Sequence, residues 1–161
     1  MNTSQHQNQA FRLTFEEAAA DVEARVSLRR AWEADTCAAA QSRPMMPSAS
    51  GGRDRRLLRA AFRLETASLA RRLSPWTAAT SDAGGITFIL PPHAPDPEPL
   101  AAMVKETVVA AIMARISASV SHPLASDDRE EAGLALQKLL TMFTPRARGN
   151  IGCIGQNIKI V

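Results

Sequence analysis

The sequence predicts a mainly α protein, a four-helix arrangement with one short β-strand at about residues 86–90 and a C-terminal segment suited to act as a β arm. Three observations carry this. Apolar residues recur at helical spacing in four separate stretches, prolines and glycines separate those stretches, and only Ile86 to Leu90 forms a compact β-branched and aromatic run. With 161 residues, 45% of them hydrophobic and 22% charged, the chain has the length and composition of one globular domain with appendages. Aromatics are only 4% and Tyr is absent, so the core is built from small aliphatic side chains that suit close helix packing.

Residues 1–10 are polar and read as a disordered N-terminus, without the cationic start and apolar stretch of a secretory signal. Thr14 followed by Glu17 is a capping-box pattern, and Phe15, Ala19, Val22 and Val26 continue at helical spacing. A first helix is therefore expected within 11–40, ending near Cys37 with Trp32 at its far end. Pro44, Pro47, Ser48, Ser50, Gly51 and Gly52 mark 41–52 as a linker.

The main helical domain is expected over 53–145. Its first helix begins near Asp54, a plausible N-cap, carries Leu58, Phe62, Leu69 and Leu73 on one side, and stops at Ser74 and Pro75. Gly84 and Gly85 introduce the strand. Five of the nine residues from Pro91 to Pro99 are proline, which predicts an extended connector, with Pro99 in the first turn of the next helix. That helix carries Leu100, Met103, Val104, Thr107, Val108, Ala111, Ile112 and Ile116 on one face, while Val109 and Met113 leave little of the opposite face polar. A helix apolar nearly all round is buried, either by the rest of the chain or by self-association. Ser126, Asp127 and Asp128 open the fourth helix, with Leu136, Leu139, Leu140 and Phe143 inward until Pro145. Residues 146–161 form a Gly-rich arm, whose Ile154, Ile158, Ile160 and Val161 give it something to bury, for example as a strand added to a neighbour's sheet edge.

Charge is the most informative functional signal. The chain carries +3, yet seven arginines and two acids fall between Arg53 and Arg72, a local +5. At about 100° per residue, Arg55, Arg56, Arg59 and Arg63 share one sector of the second helix beside its apolar side. Arginine forks match phosphate oxygens, so such a row can hold nucleic-acid backbone without reading bases; the ordinary alternative is a solvated face or one paired with acids on a neighbour. Lys105 and Arg115 on the third helix are secondary candidates.

Other chemistry finds little support. Cys37 and Cys153 are far apart, and His6, His93 and His122 are isolated from one another and from Cys, so no disulfide framework, metal site or cofactor is expected. Gly149, Gly152 and Gly155 lack the strand, helix and Gly-Lys-Ser/Thr context of a phosphate loop. Asp127, Asp128, Glu130 and Glu131 have a structural explanation at a helix start, as caps and solubilising charges. No nucleophile elbow surrounds any Ser. The expectation is a non-enzymatic protein without a membrane span, cytoplasmic by its cysteine usage.

Leu73, Ser74, Pro75 and Trp76 begin a longer pattern: a helix ending in Leu-Ser-Pro-aromatic, a short strand closed by prolines, an acidic proline linker, an apolar helix and a Glu-Glu-Ala helix. From roughly Leu69 to Arg148 this order of elements resembles small, uncharacterised prophage proteins found among head–tail connector and neck components. The resemblance implies a structural role in which copies assemble as a ring between portal and tail, in contact with other phage structural proteins and with a virion location. Two functions from different classes thus stand side by side. One is a phage-type homo-oligomer with Val109, Met113, Ile154, Ile158 and Ile160 as interface candidates; the other is a small nucleic-acid-backbone-binding or regulatory protein using the four arginines.

Overall fold

The computed structural model describes residues 9–36, 52–92 and 94–144. Its chain order is β1 (Ala10–Thr14), α1 (Phe15–Thr36), α2 (Gly52–Leu73), β2 (Ala78–Ser81), β3 (Gly85–Ile89), α3 (Pro97–Ser119) and α4 (Ala125–Phe143). The fold is mainly helical, as the periodicities predict.

The β part is larger than expected: a three-stranded antiparallel sheet in the order β1-β3-β2. Ala10 and residues 11–14, assigned above to a disordered terminus and to the first helix, pair with β3 from Ala10↔Ile89 to Thr14↔Gly85. Leu90 lies just past β3 and donates its N–H to the Gln9 carbonyl at 2.8 Å. β2, which has no apolar alternation of its own, joins β3 through the turn at Ala83 and Gly84. That turn is organised by Asp82, whose Oδ1 accepts from the N–H groups of Gly84 at 2.7 Å and Gly85 at 3.0 Å. Arg12 on β1 closes on the same carboxylate at 2.7 Å. These bonds, led by the Gly84 N–H, hold the Asp82 carboxyl below its ordinary range. Gly85 is required by close approach, since a Cβ there would lie 2.4 Å from the Leu13 carbonyl oxygen.

Several helix ends have a local reason. Thr14 and Glu17 form the full capping box: the Thr14 N–H donates to Glu17 Oε2 at 2.9 Å and the Glu17 N–H to Thr14 Oγ1 at 3.3 Å. The hydrogen bonds from Thr14, side chain first and backbone second, lower the pKa of Glu17. α2 begins at Gly52, so Asp54 lies in its first turn rather than at its cap. It ends at Leu73 before Ser74 and Pro75, and the N–H groups of Trp76 and Thr77 return to the Leu73 carbonyl. α3 starts at Pro97 after Asp96, which puts Pro99 in its first turn as expected and shortens the extended connector; Pro97 loses nothing at a position whose N–H has no intrahelical partner. The α3–α4 turn is a Schellman motif. His122 N–H bonds to the Ser117 carbonyl and Ser121 N–H to that of Ala118, with Ser121 in left-handed conformation at φ 51°.

α3 is the central element, packed against α4, α2, α1 and β1. Leu100, Val104, Val108 and Ile112 are buried on one side, and Val109 and Met113 are equally buried on the other. Each such side chain stabilises by about 1.5–3 kcal/mol relative to exposure. Val109 and Met113 are thus corrected from interface candidates to core residues: one chain hides them without a second copy. Trp76 stacks on Phe143 at 5.7 Å, fixing the end of α4 beside the end of α2.

Candidate interaction surface

α2 has two unlike outer strips. Its buried positions, Leu58, Ala61, Phe62, Thr66, Leu69 and Leu73, occupy the inward side. Opposite them Arg56, Ala60, Arg63 and Ala67 lie exposed at i, i+4, i+7 and i+11. The four predicted arginines therefore divide into two pairs. Arg55 and Arg59 sit over the Phe15 ring, at 5.6 and 4.7 Å from its centroid, and both reach the Glu16 carboxylate, Arg59 at 3.8 Å. Arg56 and Arg63 make no ion pair among the described residues and stand about 10.5 Å apart along the axis, seven residues at 1.5 Å each. The secondary candidates are engaged: Lys105 pairs with Asp21 at 3.0 Å, and Arg115 Nε donates to Glu65 at 2.7 Å.

Beside the arginines, a cleft of about 500 Å³ separates α2 from the β2–β3 turn, with Arg59, Arg63, Thr66, Ser81 and Asp82 among its walls. The other outer strip is apolar. Leu57 and Leu64, one and the same side of α2, are 61% and 57% exposed. They flank a groove of about 270 Å³ floored by Val22, Val26, Ala61 and Ile116, with Asp54 and Arg115 at its rim. Large apolar side chains left open around a groove mark interaction sites more often than scattered surface leucines do. Sequence reasoning missed this pair. The signal was present, since Leu57 and Leu64 are seven residues apart and off the Leu58, Phe62, Leu69 side.

A second polar constellation lies between α1 and the α3–α4 hairpin. Arg25, Arg29 and Glu33, four residues apart on α1, meet Glu131, Asp128 and His122. Arg29 grips Asp128 with two bonds of 2.7 and 2.6 Å, and the Ser117 hydroxyl donates to the same carboxylate. Burial pushes the Asp128 carboxyl up, but the bonds from Arg29 and Ser117 and the charge of Arg29 outweigh it and hold it below the ordinary range. Arg29 is shifted up by the same hydrogen bonding. Asp128 is corrected accordingly: it is a buried ion-pair partner, and α4 has no side-chain cap. His122 Nδ1 accepts the Leu124 N–H at 3.2 Å, so the ring's Nε2–H donates to Glu33 at 2.6 Å. Both Asp128 oxygens and both His122 nitrogens are engaged, so these two groups fasten α1 to the α3–α4 hairpin.

Among the described residues no group of three or more His, Cys, Asp or Glu is placed to hold a metal ion, and no helix is long and apolar enough to cross a membrane. Ile154, Ile158, Ile160, Cys37, Cys153, His6 and His93, and the predicted linker and arm apart from Gly52, lie outside the described residues. Comparison of the chain with protein-family models, curated proteins and solved structures gave no match.

Proposed function

We propose that this protein is a non-enzymatic assembly protein that self-associates, of the head–tail connector or neck type that its order of elements resembles. The observation that carries the self-association is the apolar groove flanked by Leu57 and Leu64, more than half exposed on a helix whose other large apolar residues, Leu58, Phe62, Leu69 and Leu73, are buried. Val109 and Met113 contribute nothing to it. Removing apolar surface from water at about 25 cal/mol per Å² favours covering this groove. Solution mass by size-exclusion chromatography with light scattering tests the reading. A discrete oligomer that Leu57→Asp with Leu64→Asp reduces to monomer is the expected result, and a wild-type monomer at all concentrations refutes it.

A second reading has its own observation: Arg56 and Arg63 are exposed, lack an acidic partner among the described residues and alternate with Ala60 and Ala67, which let a polyanion approach the helix. This surface fits nucleic-acid backbone, with no exposed aromatic on it to stack a base. Binding should weaken by about 0.9 log units per log unit of salt for each duplex phosphate contacted. Absence of binding to duplex DNA at low salt refutes it.

A further inference from the structure

We propose that the groove between α1, α2 and α3 receives the isoleucine-rich C-terminal segment, Gly149–Val161, of a neighbouring copy. The inference rests on the assembly reading above and names the occupant of its surface.

Chemistry and placement both point to this occupant. The segment carries Ile151, Ile154, Ile158, Ile160 and Val161 with no acid and one base, Lys159. The groove is floored by Val22, Val26, Ala61 and Ile116; at its rim stand Asp54, which can meet a cation, and Arg115, whose charge is paired with Glu65. Aliphatic side chains would thus enter an aliphatic cavity, and opposite charges would meet outside it.

Donor and acceptor also lie at opposite ends of α2. The groove is built on the N-terminal half of α2, at Leu57 to Leu64, and on the last turns of α3, at Arg115 to Ser119. α4 instead ends where Phe143 stacks on Trp76, beyond the C-terminus of α2. Seventeen residues follow Thr144. At full extension they span about 55 Å, enough to leave the body and enter a neighbouring copy. A segment leaving one end of the molecule and a receptor at the other make a head-to-tail contact, in which each copy both gives and receives. Repetition of such a heterologous contact closes into a ring when the rotation permits.

The test compares the full chain, a chain ending at Thr144, and the full chain with Ile154→Asp and Ile158→Asp. Among the described residues the buried core runs from Leu13 to Leu139, and the shortened chain keeps all of it. The full chain should be oligomeric and both variants monomeric by light scattering. A fluorescent peptide of residues 149–161 should bind the shortened chain by anisotropy, at least about tenfold more weakly after Leu57→Asp with Leu64→Asp. If the shortened chain remains oligomeric, the inference falls and the assembly reading stands, with another part of the neighbouring copy as the occupant of the groove. Peptide binding indifferent to Leu57 and Leu64 also overturns it and directs attention to the open edge of β2. A monomeric full chain overturns both, and peptide binding in that case means that the segment closes on its own groove.

Discussion

Replacing Asp128 by Asn should destabilise the protein far more than removing any of its exposed ion pairs. The Asp128 side chain is 3% exposed and that of Arg29 17%, and neither charge has another ion-pair partner among the described residues. Asn keeps the shape but leaves the guanidinium without its counter-charge. Breaking a buried pair from one side costs about 3–5 kcal/mol, and the partial exposure of Arg29 places the expectation near the lower end, at about 3 kcal/mol. For a chain of this size that corresponds to a fall in Tm of about 6–12 °C. Urea unfolding followed by tryptophan fluorescence measures it, with an unchanged denaturant slope as the sign that stability alone has moved. The sign of the pH dependence is fixed by the depressed Asp128 pKa. The pair's contribution is complete above the unfolded aspartate value of about 3.9 and is lost as pH falls through the lower folded value. Asp128→Asn should therefore flatten the acid limb of the stability profile. Replacing the whole cluster, with Arg29→Met, Asp128→Leu and Ser117→Ala, should recover to within about 1 kcal/mol of wild type, because no buried charge is left uncompensated. A loss below about 1 kcal/mol for Asp128→Asn would refute the reasoning, since the pair would then behave as a hydrated surface bridge.

Other expectations follow from single local contacts. Thr14→Ala removes the capping box and should cost about 1 kcal/mol in thermal or urea unfolding, with Glu17→Ala giving a similar, non-additive loss. Gly85→Ala drives a Cβ into the Leu13 carbonyl and should cost about 1–3 kcal/mol, with faster amide exchange along β1. Ser121→Gly relieves a left-handed serine and should stabilise by about 0.5–1 kcal/mol; a loss would show that its hydroxyl matters more than its backbone. If duplex DNA binds, Arg56→Ala with Arg63→Ala should reduce its salt slope by about two contacts' worth, whereas Arg55→Ala with Arg59→Ala should change stability more than binding.

Some of the candidate surface was legible in the chain and some was not. The row of arginines on α2 follows from helical spacing alone. Which of them remain outward does not, because Phe15 and Glu16 reach Arg55 and Arg59 only after β1 and the start of α1 are placed beside α2. The same holds for Leu57 and Leu64. Their spacing is in the sequence, but their exposure depends on how α1 and α3 pack beside α2.

The sequence by itself determined that four helices form and where several of them start or stop, because those signals are local. Thr14 and Glu17 cap within one turn, Pro75 follows the last turn of α2, and Pro99 lies in the first turn of α3, where its missing N–H costs no intrahelical bond. Only the tertiary structure decided the sheet, because strands as short as Ala10–Thr14 and Ala78–Ser81 are stabilised by a partner distant in the chain rather than by their own pattern. It likewise decided that Val109 and Met113 are core. Periodicity states that a helix must be covered on all sides but not by what, and here α1, α2, α4 and β1 cover α3 within one chain. Arg29 and Asp128 are the extreme case: 99 residues apart, they look like ordinary surface charges until folding removes the water around them.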